Sequence, residues 1–303
     1  GLKTAQLSSC FKLNIEDDAS SIMEAMSDAA LISKYSGGLS LNFMKVRARG
    51  SFIKGTGGES NGVVPFMRIT EVVAQAYNQG GKRPGSMCNY LPIWHADYPD
   101  FLDLRKEVGD HRQRTHDVNT ASWIPDLFMK RVIEEKEWSL FSPDETPLLS
   151  HTYGDEFEEA YQEYESLGKA GKLRVYHTMQ AESLFKTLLN ALFTTGHPWP
   201  CFSDAHNHRY ANQHVGVVTQ SNLCCITGDQ RCATDEGLIT AKDLYLSGRL
   251  NKVVGMTGFE NATQMFLPRP SAPILKVLTA EGYTHRVTPD HPLWVKGHGW
   301  VEA

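Results

Sequence analysis

The feature that most constrains this chain is a change of pattern at residues 221–229, Ser-Asn-Leu-Cys-Cys-Ile-Thr-Gly-Asp. Before Cys224, strand-like runs with apolar and polar residues in alternation take turns with runs of helical apolar spacing. That order points to an α/β fold with a parallel sheet. After Cys224 the text is short, β-rich and punctuated by glycine. A length of 303 residues leaves room for two domains, and the boundaries are expected at 1–224 and 225–303.

Composition removes several function classes. Hydrophobic residues make up 41% and charged residues 21%, ordinary values for a soluble globular protein. A net charge of -5 offers no basic surface for nucleic acid or anionic lipid. No apolar run approaches the roughly 18 residues of a membrane span, and the start, Gly1-Leu2-Lys3-Thr4, lacks the pattern of a signal peptide. Six cysteines without zinc spacing imply a reducing, cytoplasmic setting and no metal site. The absent initiating Met and the ending at Trp300-Val301-Glu302-Ala303 read as a fragment.

In chain order, Phe11–Ile15 reads as a strand, and Glu16-Asp17-Asp18 as the acidic cap of a helix with apolar face Ile22, Met26, Ala29 and Ala30. That helix is expected to stop at Ser36-Gly37-Gly38, where glycine permits positive φ. A strand from Leu39 to Val46 leads to Arg47-Ala48-Arg49-Gly50-Ser51 and then to a polar Gly-dense loop, Lys54–Gly62, suited to a linker or to cradling phosphate. A helix is expected over Val63–Gln79, with Val64, Met67, Val72, Val73 and Ala76 inward. A second Gly-rich basic loop, Gln79–Gly85, and a strand, Met87–Ile93, follow. His95 and Asp97 lack the third ligand a metal needs. A helix over Ile124–Glu135 has Pro125 in its first turn; a strand over Trp138–Phe141 and helices at 154–167 and 180–194 complete the first region.

These residues resemble the large, catalytic subunit of class I ribonucleotide reductases. The likeness rests on Ser9-Cys10, Gly37-Gly38, Arg47–Ser51, Gly80–Gly85, Trp123–Val132 and Ser221-Asn222-Leu223-Cys224, in that order. The resemblance implies the first half, five strands, of a ten-stranded α/β barrel. It makes Cys224 the thiyl radical that takes hydrogen from a ribonucleoside diphosphate, Asn222 a neighbour on the same face, and Cys10 a reducing cysteine. Ser9, Gly38 and Asn222 would contact substrate. Asp17, Arg47 and Lys54 would bind a dNTP or ATP effector at the interface of a homodimer, and Gln79, Lys82 and Arg83 would belong to the loop that relays specificity. No cofactor is implied in this chain itself; a metal-containing small (beta) subunit would supply the radical, and thioredoxin or glutaredoxin the electrons. Cys88, Cys201 and Cys232 match no catalytic position.

Family members continue from this cysteine through one spacer to a Glu that acts as general base. Here the text instead runs Cys225-Ile226-Thr227-Gly228-Asp229, then Asp235-Glu236-Gly237, with β-like pieces at 238–239, 252–256, 264–267, 274–279 and 284–287, and ends in Thr288-Pro289-Asp290-His291. This is similar to the N-terminal part of an intein, a partial all-β Hint module. The resemblance implies that Cys225 attacks the preceding carbonyl to form a thioester, that His291 protonates the leaving nitrogen and that Thr288 polarises the scissile peptide. A C-terminal intein half would be the partner. The rival expectation is a nucleotide-binding or assembly remnant of a split reductase gene carrying a Hint remnant that does not splice.

Overall fold

The structure is a computed structural model; it describes residues 10–35, 37–77, 86–210 and 212–221, and between 231 and 302 eight strands and Leu246. Two compact units divide the chain: one holds residues 10–207 and 216–222, the other 1–9, 208–215 and 223–303.

The first unit is built on a five-stranded, all-parallel sheet in the order β1-β2-β5-β6-β9. Its strands are β1 (Cys10–Asn14), β2 (Gly38–Asn42), β5 (Met87–Pro92), β6 (Asn119–Ile124) and β9 (Trp199–Phe202). Between β2 and β5 lie the two-residue strands β3 (Phe52–Ile53) and β4 (Gly58–Glu59). Between β6 and β9, β7 (Glu137–Phe141) and β8 (Tyr176–Gln180) pair antiparallel. The connecting helices are α1 (Ala19–Lys34), α2 (Val64–Ala76), α3 (Tyr98–Leu102), α4 (Asp126–Ile133), α5 (Gly154–Lys169), α6 (Ala181–Thr195) and α7 (Ser203–His208). Parallel neighbours need such crossovers, and their helices supply the cover a parallel sheet requires.

Helix α1 shows how local sequence sets an element. Asp18 accepts from the backbone N–H groups of Ser20 and Ser21 at 2.8 and 3.0 Å, a cap of about 1 kcal/mol. Ile22, Ala25, Met26, Ala29 and Ala30 then repeat every three or four residues and are buried, each large apolar side chain stabilising by about 1.5–3 kcal/mol. Helix α6 ends at Gly196, whose φ of 73° lies in the left-handed region.

Several expectations are corrected. Gly38 opens β2 as the partner of Cys10. The loop expected at 54–62 is largely a hairpin: Phe52 pairs with Glu59 and Ile53 with Gly58, and bonds from Gly50 N to Ser60 O and from Ser60 N to Ser51 O extend it. In α2, Val72 and Ala76 face outward while Thr70 and Ala74 join Val64 and Met67 inside. Ile124 closes β6 instead of opening a helix, and Pro125 is the extended residue before α4.

In the second unit, the described strands are β10 (Arg231–Thr234), β11 (Gly237–Thr240), β12 (Lys252–Gly255), β13 (Gly258–Asn261), β14 (Leu275–Leu278), β15 (Thr284–Val287), β16 (Pro292–Val295) and β17 (Gly299–Glu302). Their pairings are all antiparallel: a four-stranded sheet in the order β11-β10-β12-β13 and two hairpins, β14-β15 and β16-β17. The strand expected at 264–267 lies outside the described residues.

Candidate functional site

Register decides which side chains share a face of the parallel sheet. Cys10 pairs with Gly38, Lys12 with Ser40 and Asn14 with Asn42; Ser40 continues to Cys88 and Asn42 to Tyr90; Trp123 pairs with Cys201. Because alternate residues face one way, Cys10, Gly38, Ser40, Cys88, Tyr90 and Cys201 all lie on one side. The other side carries Phe11, Leu13, Leu39 and Leu41, the last two fully buried. Cys10 is exposed at the start of β1, beside the half-buried Gly38, whose missing side chain leaves room on that face.

Residues 216–221 are held on this side. Asn207 binds Val218 reciprocally, its Nδ2 donating to Val218 O at 2.9 Å and its Oδ1 accepting from Val218 N at 2.7 Å. Asn42 Nδ2 donates to Thr219 O at 3.4 Å, and Gln220 Nε2 donates to Leu13 O and Asn14 Oδ1, both at 3.0 Å. Cys88 is buried, and burial pushes its thiol up, away from the reactive thiolate. Tyr90 Oη sits 3.9 Å from Cys201 Sγ, and burial likewise raises the phenol far above its ordinary value.

A second constellation surrounds residues 46–63. Asp17 accepts from Arg47 N at 3.1 Å and Arg47 Nε at 2.8 Å, while Arg47 Nη1 donates to Phe52 O at 2.6 Å. The pair is about three-quarters buried, with side-chain exposures of 24% and 23%. Lys54 lies in the exposed turn between β3 and β4. The backbone around them is pinned from several sides. Ala48 N donates to Ser142 Oγ at 2.9 Å, Ser51 Oγ donates to Asp144 at 3.2 Å, and Arg174 Nε donates to Gly50 O at 3.0 Å.

His95 and Asp97 belong to this network rather than to a metal. Asp97 N donates to His95 Nδ1 at 3.0 Å, which leaves His95 Nε2 as the protonated nitrogen, donating to Val46 O at 2.8 Å. Burial holds His95 below its ordinary pKa, although Asp97 pulls the other way. The Asp97 carboxylate accepts from Arg49 N at 3.0 Å and Val63 N at 2.9 Å. No group of three or more metal-binding side chains occurs among the described residues, and no described helix is long and apolar enough to cross a membrane.

The structure therefore brings Cys10 beside Gly38 and Asp17 against Arg47, with Lys54 on the hairpin that Arg47 touches through Phe52 O. Ser9, Gln79, Lys82, Arg83, Asn222, Cys224, Cys225, Thr288 and His291 lie outside the described residues. The sequence offers Asp97 as a metal ligand at the opening of a helix; it is the N-cap residue of α3, where an Asp ordinarily serves its own helix, yet its side chain makes no cap bond there. The groups it serves belong to residues 49 and 63, which no local pattern reveals.

The chain matches the family described as ribonucleotide reductase, barrel domain, over residues 8–228. It is 51% identical over 224 residues to the ribonucleoside-diphosphate reductase subunit alpha of Chlamydia muridarum, covering 74% of this chain and 21% of that protein. With the large chain of Neurospora crassa it shares 44% identity over 268 residues, 88% of this chain and 28% of the relative. With large chain 2 of Saccharomyces cerevisiae it shares 43% over 227 residues, 74% and 25%. The chain thus spans between a fifth and under a third of the length of these relatives.

Proposed function

The chain belongs to the ribonucleotide reductase barrel-domain family, and on that premise we propose that residues 1–224 are the first half of a class I large-subunit barrel, interrupted after Cys224 by the N-terminal part of an intein. The observation that carries the reductase half is the register of β1 and β2, which sets Cys10 and Gly38 side by side on the polar face of a five-stranded parallel sheet. In this reading Cys224 is the thiyl radical that abstracts hydrogen from the ribose of a ribonucleoside diphosphate, with Asn222 beside it. Cys10, an exposed thiol, acts with a second cysteine from the later part of the large subunit: the two thiols supply the two electrons that replace the 2′-hydroxyl, lost as water, with hydrogen, and close to a disulfide; Ser9 and Gly38 line the substrate. The last described residues before Asn222 are anchored to Asn14 and Asn42, on the face that carries Cys10. Cys88 stays a protonated bystander.

Asp17, Arg47 and Lys54 form the effector site for a dNTP or ATP, with Gln79, Lys82 and Arg83 in the loop that relays its identity. Exposed apolar residues on α1 and α2, among them Met23, Leu31 and Val72, with Tyr77 at the C-cap of α2, suit pairing with a second large subunit. A small subunit with its metal centre supplies the radical, and thioredoxin or glutaredoxin restores the thiols.

The intein half rests on Cys225 with Thr227-Gly228-Asp229, on Thr288 and His291 some sixty residues later, and on a family match that stops at residue 228. Antiparallel pairing among the described strands between 231 and 302 is compatible with a Hint module. The longer match to the Neurospora protein reaches past residue 228 and favours a second reading, in which part of 225–303 is reductase sequence with an insertion. Sequencing the transcript beyond the Ala303 codon separates them. A frame reaching a His-Asn pair, then Ser, Thr or Cys, then a Glu and the remaining barrel supports splicing; a frame that stops there, with a second gene encoding those blocks, supports a split intein. Continuation into reductase sequence without them overturns it. For the reductase half, the complete large subunit with its small subunit should turn over ribonucleoside diphosphates, and Cys224→Ser should abolish this.

A further inference from the structure

Helix α2 has no capping side chain of its own, although its first N–H groups need acceptors. Asp97, which follows β5 in the chain, supplies one: its Oδ2 lies 2.9 Å from Val63 N, while Oδ1 lies 3.0 Å from Arg49 N. Asp97 is 6% exposed, and its carboxylate sits against Gly62, where an added Cβ would fall 2.2 Å from Oδ2 and where φ is +78°. One buried side chain thereby ties the two ends of the 49–63 segment together. The segment carries Lys54 and follows Arg47; the helix it starts runs to Ala76, directly before residues 78–85. His95 fixes the arrangement from behind, accepting from Asp97 N and donating to Val46 O.

We propose that Asp97 is a positioning residue that couples the Arg47–Lys54 effector segment to helix α2, and through α2 to the Gln79–Gly85 loop. The inference rests on the effector-site reading given above and adds the element that links it to the loop. A carboxylate is needed because two N–H donors converge on it; an amide there presents one acceptor and turns a third donor toward them.

The molecule contains its own control. Asp204 is equally buried, at 3%, and also accepts two backbone N–H groups, from Asp126 at 2.7 Å and Gly154 at 3.1 Å. It joins α4 to α5, away from residues 46–63. The test compares Asp97→Asn with Asp204→Asn in the full chain by hydrogen exchange and by titration with dTTP. Asp97→Asn should speed exchange at 47–51 and 61–66, leave 126–169 protected, and weaken dTTP binding about tenfold. Asp204→Asn should loosen 126–169 and leave dTTP affinity within twofold. In the complete enzyme, Asp97→Asn should also flatten the effector dependence of substrate choice while basal turnover persists. Equal loss of dTTP affinity in both variants, or unchanged exchange at 47–66 in Asp97→Asn, overturns the proposal. Failure of the wild-type chain to bind dTTP sinks the effector-site reading instead, and the exchange pattern alone then decides the role of Asp97.

Discussion

Two arginine–carboxylate pairs, Arg47–Asp17 and Arg131–Glu165, use the same chemistry in opposite settings. Arg131 donates through both terminal nitrogens to both oxygens of Glu165, at 2.7 and 2.6 Å. Its guanidinium lies 4.9 Å from the Tyr161 ring and 5.7 Å from Trp138, and Ser139 Oγ donates to the same carboxylate. Every face of the pair is occupied, and side-chain exposure falls to 12% and 10%. Arg47–Asp17 is twice as exposed, shares its carboxylate with a backbone N–H, and stands beside a hairpin whose tip, with Lys54, is open to solvent. A fork–fork pair closed by aromatic rings fastens α4 to α5; the pair left open at one side is the one proposed above to meet an incoming anion. Occupancy of the remaining valences, more than the presence of charge, separates the two settings.

Breaking the closed pair should have the largest effect. Burial raises the Glu165 carboxyl, but hydrogen bonds from Arg131 and Ser139 outweigh it and hold the group below its usual range. Glu165→Ala strands a guanidinium between two rings and should lower stability by about 3 kcal/mol in urea unfolding. A double change, Arg131→Met with Glu165→Leu, should recover most of that loss; no recovery would mean that the aromatic contacts, not the stranded charge, set the cost.

Acid comes next and acts on the open region through His95. Its folded pKa is depressed by burial, so the unfolded chain takes up the proton first. Stability is therefore intact above the unfolded value of about 6.5 and declines as pH falls below it, by up to about 1.4 kcal/mol per unit until the folded pKa is reached. Melting temperatures at pH 7.5 and 5.5 measure the drop, and His95→Gln should make it shallower. An identical slope in the variant would place the acid sensitivity elsewhere.

The smallest effect on stability belongs to the open pair. Arg47→Ala should cost no more than about 1 kcal/mol, as partly exposed pairs do, yet reduce dTTP binding severely. A stability loss matching that of Glu165→Ala would erase the contrast between the two pairs.

Much of the fold was legible where the code is local. Asp18 with the Ile22–Ala30 stripe announced α1, and strands β5, β7 and β15 fall within a residue or so of their expected bounds. Strand β6 was not legible. Asn-Thr-Ala-Ser-Trp-Ile contains Thr120 and Ser122, polar yet buried, so neither face shows an apolar alternation, and Pro125 drew Ile124 into the helix. The 52–59 hairpin hid behind its glycines. Family motifs named Cys10, Gly38, Asp17 and Arg47, but the Asp97 network joins groups 34 and 48 residues apart, and only the fold brings those together.

The parallel sheet also has two ends, β1 and β9, and their chemistry governs how the protein behaves when concentrated. Among the described strands neither has an outer neighbour, a condition that ordinarily invites templated growth from one molecule to the next. Here β1 presents the exposed, charged Lys12 midway along five residues, and β9 is four residues long with Pro200 inside it. A charge blunts one terminus; a ring without an N–H blunts the other. Strand addition from another molecule is discouraged at both.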